Sequence, residues 1–155
     1  MMLKHTKGDL VLMAETGEFD IIVHCCNCHN IMGAGFARQI RDQYPRAAVA
    51  DNETEKGDYR KLGNFTTAFT GKFLIVNAYA QYNIGRGDDV FEYTAFQLIL
   101  EKLAFLYPGK RFGMPYIGMG LAGGNKDIII PMIERFAEKI SLGGGSVTLV
   151  DFVKN

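Results

Sequence analysis

A chain of 155 residues with 17 basic and 17 acidic side chains has no net field to draw it onto nucleic acid or an anionic membrane. The length suits a single domain, residues 1–155, with a sizeable core, and no apolar stretch approaches the roughly 20 residues of a bilayer-spanning helix. The opening MMLKHTKGDL lacks the apolar run of a secretory signal, and the three cysteines, Cys25, Cys26 and Cys28, sit too close together for a disulfide framework. A reducing cytoplasm is therefore the expected setting.

Leu3 to Thr6 reads as a first strand ending at Lys7-Gly8-Asp9-Leu10, and Leu10 to Met13 as a short apolar patch before a turn at Thr16-Gly17-Glu18. Asp20 to Cys26 is a continuous apolar strand of the kind expected when helices cover both faces of a sheet. Gly35 to Tyr44 has helical spacing, with Phe36, Ala37, Ile40 and Tyr44 on one face. Pro45 should stop it, because the residue before a proline is pushed out of the helical region. Arg46 to Lys61 is polar and charged, read as irregular surface or a short helix.

Asn64 to Thr70 and Lys72 to Ala80 read as two strands joined at Gly71, followed by a turn-rich loop from Tyr82 to Asp89. Phe91 to Tyr107 repeats apolar residues at helical period and ends at Pro108-Gly109. Arg111 to Ile117 is a further strand, and Asp127 to Ile140 a further helix in which Pro131 is tolerable only within the first turn. Ser146 to Val153 closes the chain as a last strand. Strands alternating with helices predict an α/β fold, a three-layer α/β/α sandwich around a mixed, mostly parallel central sheet, with ligands beyond the carboxyl ends of the strands.

Two glycine-rich stretches fall at those ends. Val23-His24-Cys25-Cys26-Asn27 runs into Gly33-Ala34-Gly35-Phe36 at the start of a helix. Arg111 to Ile117 runs into Gly118-Met119-Gly120-Leu121-Ala122-Gly123. Glycines let the backbone approach an anion, and the first N–H groups of a helix lack internal partners, so both stretches suit phosphate.

Taken together, these motifs resemble the macrodomain, the ADP-ribose-binding family, over nearly the whole chain. Gly8-Asp9-Leu10 is similar to the family's early motif, whose acid receives the adenine amino group. Asn27 stands where the family contacts the distal ribose. Gly33, Ala34, Gly35 and Phe36 resemble its first phosphate loop, and Gly118, Met119, Gly120, Leu121, Ala122 and Gly123 its second. Phe152 stands where the family often sets an aromatic against adenine. The run from His24 to Cys28 resembles the branch of ADP-ribose-1''-phosphate phosphatases, including small virus-encoded members. That likeness implies hydrolysis of the terminal phosphate, with His24 and Asn27 as catalytic residues. The implied partner is a small molecule, ADP-ribose or its 1''-phosphate, with no membrane, nucleic acid, metal or cofactor, and with the oligomeric state open. Two alternatives stand beside this. One is a non-catalytic reader of ADP-ribose or a related nucleotide signal. The other is an ADP-ribosyl hydrolase acting on modified protein or nucleic acid, disfavoured because Asn77-Ala78-Tyr79-Ala80-Gln81 lacks that branch's Lys and Ala122 replaces its Asp.

Each residue also has a plainer reading. His24 is either a base or nucleophile towards phosphate, since imidazole titrates near neutrality, or a hydrogen-bonded strand-end histidine. Asn27 either orients ribose or satisfies its own turn. Asp9 reads adenine or makes a turn, and Phe152 stacks on a base or fills core. Phe36 is the candidate to pack against ribose in place of an aromatic at Ala122. The His24-to-His29 cluster suggests zinc, but its spacing lacks two separated ligand pairs, and Cys25 and Cys26 are expected to pack near the strand end. His5 and His29 are expected at the surface. Asp88 or Asp89 is a candidate helix cap, and Arg86 a candidate phosphate contact.

Overall fold

A computed structural model describes residues 2–32, 35–82, 91–117 and 124–153. In chain order these form β1 (Leu3–Gly8), α1 (Leu10–Glu15), β2 (Ile21–Cys26), α2 (Gly35–Gln43), α3 (Pro45–Asn52), a 3-10 turn (Tyr59–Lys61), β3 (Phe65–Phe69), β4 (Leu74–Tyr79), α4 (Tyr93–Leu106), β5 (Arg111–Met114), α5 (Lys126–Leu142) and β6 (Ser146–Phe152). The strands make one six-stranded sheet in the order β1-β6-β5-β2-β4-β3. Every neighbouring pair is parallel except the β3–β4 hairpin. The hairpin turns through Gly71 at φ 99°, a left-handed conformation that glycine adopts without strain. Among the described residues, no helix is long and apolar enough to cross a membrane.

The period of the strands sorts the core into two layers. Ile21 and Val23 of β2 join Val76 and Ala78 of β4 in a cluster with Phe96, Ile99 and Leu103 of α4 and Ile133 and Phe136 of α5. Ile22 and Ile75, one residue out of phase, face the other way and pack with Leu10 and Val11 of α1, Ile40 of α2 and Ala47 of α3. Side chains that alternate between two buried faces explain why these strands read as unbroken apolar runs. Burying a side chain such as Phe96 or Ile99 completely contributes roughly 1.5–3 kcal/mol. Gly113 of β5 is where Phe19 and Leu10 approach the sheet; a Cβ there would lie 2.6 Å from Phe19 and 2.7 Å from Leu10.

Three stretches differ from the sequence expectation. Leu10–Glu15 is a helix, because the Asp9 side chain accepts from the N–H groups of Val11 and Leu12 and supplies the cap that a six-residue segment needs. Pro45 does end α2, but it also opens α3 at the first helical position, where its missing N–H costs nothing. Pro131 lies beyond the first turn of α5, which starts at Lys126 behind an Asn125 cap. It removes the bond its N–H would have made to the Asp127 carbonyl, and six buried residues on the same helix, from Ile129 to Ile140, hold the segment in place.

Candidate functional site

The carboxyl ends of the five parallel strands share one edge of the sheet. β1 and β6 end side by side there, with Gly8 paired to Phe152 and the Val153 N–H donating to the Gly8 carbonyl at 3.0 Å. Asp9 and Phe152 are thereby brought together at this corner. Phe152 is 59% exposed, so it is not a core aromatic. The Asp9 carboxylate caps α1 through Oδ1, the turn role, at the head of a recess of about 470 Å³ between α1 and α2, lined by Leu12, Glu15, Gln39, Gln43 and Tyr44 among others. Leu10 is 3% exposed and committed to the core, which leaves only its backbone to meet a ligand.

Further along the edge the sheet opens. β2 pairs with β4 over its whole length, as far as Cys26–Tyr79, but with β5 only at Ile21–Phe112 and Ile22–Gly113. From that point β2 leads to α2, in the layer with α1 and α3, and β5 leads to α5, in the opposite layer. Adjacent strands whose continuations leave for opposite faces define the crevice where open α/β sheets bind ligands. Gly35 is the first residue of α2 at its rim, and Phe36 follows, half-buried. Gly33, Ala34, Gly118, Met119, Gly120, Leu121, Ala122 and Gly123 lie outside the described residues, as do Arg86, Asp88 and Asp89.

Asn27 follows β2 directly, is 7% exposed, and spends both ends of its amide on its own turn. Nδ2 donates to the Ile31 carbonyl at 2.7 Å, and Oδ1 accepts from the His29 N–H at 2.9 Å. It therefore shapes the chain entering α2. His29, expected at the surface, is half-buried and meets Tyr82 edge-on, with ring centroids 4.7 Å apart. His5 is exposed, and its Nδ1 lies 3.2 Å from the Tyr116 hydroxyl.

His24 lies behind the edge, 1% exposed, on the face of the sheet covered by α2 and α3. Its Nε2 is 2.7 Å from Asn77 Oδ1, Cys26 Sγ is 3.7 Å from Nε2, and its ring meets Phe36 edge-on with centroids 5.9 Å apart. Burial lowers its pKa to about 4, against the opposing pull of the Asn77 hydrogen bond, so the imidazole is neutral at physiological pH. This is the geometry of the hydrogen-bonded strand-end histidine, with the ring enclosed between Asn77 and Phe36. Cys25 packs towards α4 and α5, while Cys26 and Cys28 lie in a separate cluster with Met32 and Tyr79. Burial pushes all three thiols up, Cys28 to about 11, which leaves them protonated and unreactive. Sequence reasoning missed Asn77 as the partner of His24, and Thr66 as a partner of Asn77 in turn; a polar residue in the middle of the apolar strand β4 was the available signal.

This sheet order, these layers and this crevice define the macrodomain fold. The chain superimposes with a TM-score of 0.71 on the macrodomain of Mycobacterium tuberculosis DarG, at 18% identity over 99% of both chains. A Bacteroides thetaiotaomicron protein of unknown function matches with a TM-score of 0.77, at 23% identity over 97% of this chain and 98% of that one. The Trypanosoma brucei macrodomain in complex with ADP-ribose matches at 0.64, with 13% identity over 99% of this chain and 64% of that one. No known family model matches the chain. It is 33% identical over 151 residues to the uncharacterized 17.5 kDa protein in the tk-vs intergenic region of Enterobacteria phage T4, covering 92% of this chain and 94% of that one. The chain belongs to the same family as that phage protein.

Proposed function

We propose that this chain binds ADP-ribose across the carboxyl edge of its sheet. The observation that carries the reading is the opening between β2 and β5, with an exposed aromatic and a carboxylate at one end and the start of α2 at the other. Proteins with the same fold are solved with ADP-ribose bound. In this reading Phe152 covers adenine, and Asp9 receives its amino group through the carboxylate oxygen that does not cap α1. Gly33 to Phe36 and Gly118 to Gly123 hold the diphosphate, and Asn27 sets the turn beside the distal ribose. Calorimetric titration with ADP-ribose tests it. Native protein should bind, and Phe152→Ala should bind roughly tenfold more weakly, in line with about 1–3 kcal/mol for stacking one base. Absence of binding by the native chain would overturn the reading.

A second reading, hydrolysis of the terminal phosphate of ADP-ribose-1''-phosphate, is supported by the likeness of the His24-to-Asn27 strand end to the phosphatase branch. The buried, neutral imidazole supports a narrower part for His24, that of holding the strand end and α2, and so favours binding over turnover. Phosphate release assayed with native protein and His24→Ala separates the two. Release by native protein alone supports the phosphatase with His24 essential to it, and binding without release supports the reader. Release of ADP-ribose from modified protein or nucleic acid would instead point to the hydrolase alternative.

A further inference from the structure

A row of hydrogen-bonded polar side chains, buried at His24 and Asn77 and half-buried at Thr66, crosses three strands on the face beneath α2 and α3. Register puts His24 of β2 beside Asn77 of β4, and Asn77 opposite Thr66 of β3. Asn77 Nδ2 donates to the Ala47 carbonyl at 2.9 Å and to Thr66 Oγ1 at 3.0 Å. A carbonyl oxygen can only accept, so the Ala47 contact fixes which way the Asn77 amide points: turned over, it would press two acceptors together. Asn77 Oδ1 must then face His24, and since it too only accepts, His24 Nε2 carries the proton. Thr66 Oγ1 lies 3.1 Å from the Tyr79 hydroxyl, which donates to Asp51 Oδ1 at 2.7 Å. The donors thus run in one direction, from Asn77 through Thr66 and Tyr79 to a carboxylate that is 1% exposed. Lys61 closes the row, with Nζ 4.8 Å from the centre of the Tyr79 ring and bonded to the Cys28 carbonyl just past β2.

We propose that Asn77 is a positioning residue: buttressed by Ala47, Thr66 and Tyr79, it holds His24 as the Nε2–H tautomer. Through the edge contact of His24 with Phe36 it sets the first turn of α2 at the crevice. A hydrogen-bonded row with every member satisfied specifies one arrangement, whereas an apolar row would let the imidazole and Phe36 repack. The ligand-binding consequence rests on the ADP-ribose reading; the tautomer and the seating of Phe36 do not.

Nitrogen-15 NMR of the His24 ring and proton NMR of the Phe36 ring test this in the native protein, in Asn77→Asp and in Thr66→Val. Native His24 should show a protonated Nε2 and an unprotonated Nδ1. Asn77→Asp sets a carboxylate beside the ring, so His24 should titrate at higher pH than in the native protein, with displaced Phe36 signals. Thr66→Val, the milder change should Asn77→Asp not fold, should move the His24 and Phe36 signals in a folded protein, and Thr66→Ser should restore them. Each folded variant with displaced Phe36 signals should bind ADP-ribose roughly five- to tenfold more weakly, as expected for one lost hydrogen bond behind a site. A native Nδ1–H tautomer, or variants whose His24 and Phe36 signals match the native ones, would overturn the inference. Displaced Phe36 signals with native affinity would overturn its ligand-binding half. A native chain that does not bind ADP-ribose would defeat the functional reading, while the NMR measurements would still decide the role of Asn77.

Discussion

At the scale of single residues, burial of His24 ties stability to pH. Its pKa is about 4 in the folded chain, because the interior disfavours imidazolium, against about 6.5 for an unfolded histidine. Below pH 6.5 the unfolded chain therefore takes up a proton that the folded chain refuses until about pH 4. The stability held at neutral pH is lost as pH falls through that window, by an amount on the order of 3 kcal/mol. Asp51, whose carboxyl is pushed up by its own burial, acts in the opposite sense at the acidic end. Comparing native protein with His24→Gln removes that shared contribution, because glutamine keeps a donor for Asn77 and does not titrate. Urea unfolding at pH 7 and pH 4.5 should show the native protein losing about 2–3 kcal/mol more than the variant. Equal losses would mean that His24 is protonated, or exposed, in the folded state. This histidine stood out in the sequence as the one imidazole within an apolar strand. Its partner did not: a hydrogen bond to a residue 53 positions away depends on register, which no local pattern states.

Elements with strong periodicity, α4 and the apolar strands β2 and β4, were readable because burial on one or two faces leaves a direct imprint on residue order. The short helices were less plain: α1 read only as an apolar patch, and a short helix was one of two readings for the stretch that holds α3. Six and eight residues give too few turns for a period to stand out, and each depends on its first residues: the Asp9 cap for α1 and Pro45 for α3. α5 departs from local rules in the other direction, keeping Pro131 inside its second turn. The helix stands because its buried face, including Ile133 and Phe136, outweighs one missing backbone bond and the crowding of the ring. Pro131→Ala should therefore stabilise the protein. Interior proline costs about 3 kcal/mol relative to alanine, while the stiffness that proline gives the unfolded chain offsets about 0.4–1 kcal/mol. A net gain of roughly 2–2.6 kcal/mol is expected, read as a higher urea midpoint at unchanged slope. A lower midpoint would show that the proline ring packs productively and that the helix has already adjusted to it.

For the molecule as a whole, the alternation of strands and helices was enough to foresee a covered, mostly parallel sheet. What it could not supply was the strand order that parts β2 from β5. Nor could it show that Asp9 and Phe152, separated by nearly the full length of the chain, meet through the β1–β6 pairing. That closure has a thermodynamic consequence. The proposed ligand spans from the β1–β6 corner to the end of β2, so it touches segments from both ends of the chain and can bind only when the whole sheet is assembled. Binding to the folded state alone raises stability by about 2.7 kcal/mol at a ligand concentration of one hundred times Kd. For a domain of this size each kcal/mol raises the melting temperature by roughly 2–4 °C, so ADP-ribose at that concentration should raise Tm by roughly 5–10 °C in one cooperative transition. Adenosine monophosphate reaches only the Asp9 and Phe152 end and should give a smaller rise at the same concentration. Equal shifts from the two ligands would confine recognition to the β1–β6 corner and remove the crevice between β2 and β5 from the binding site.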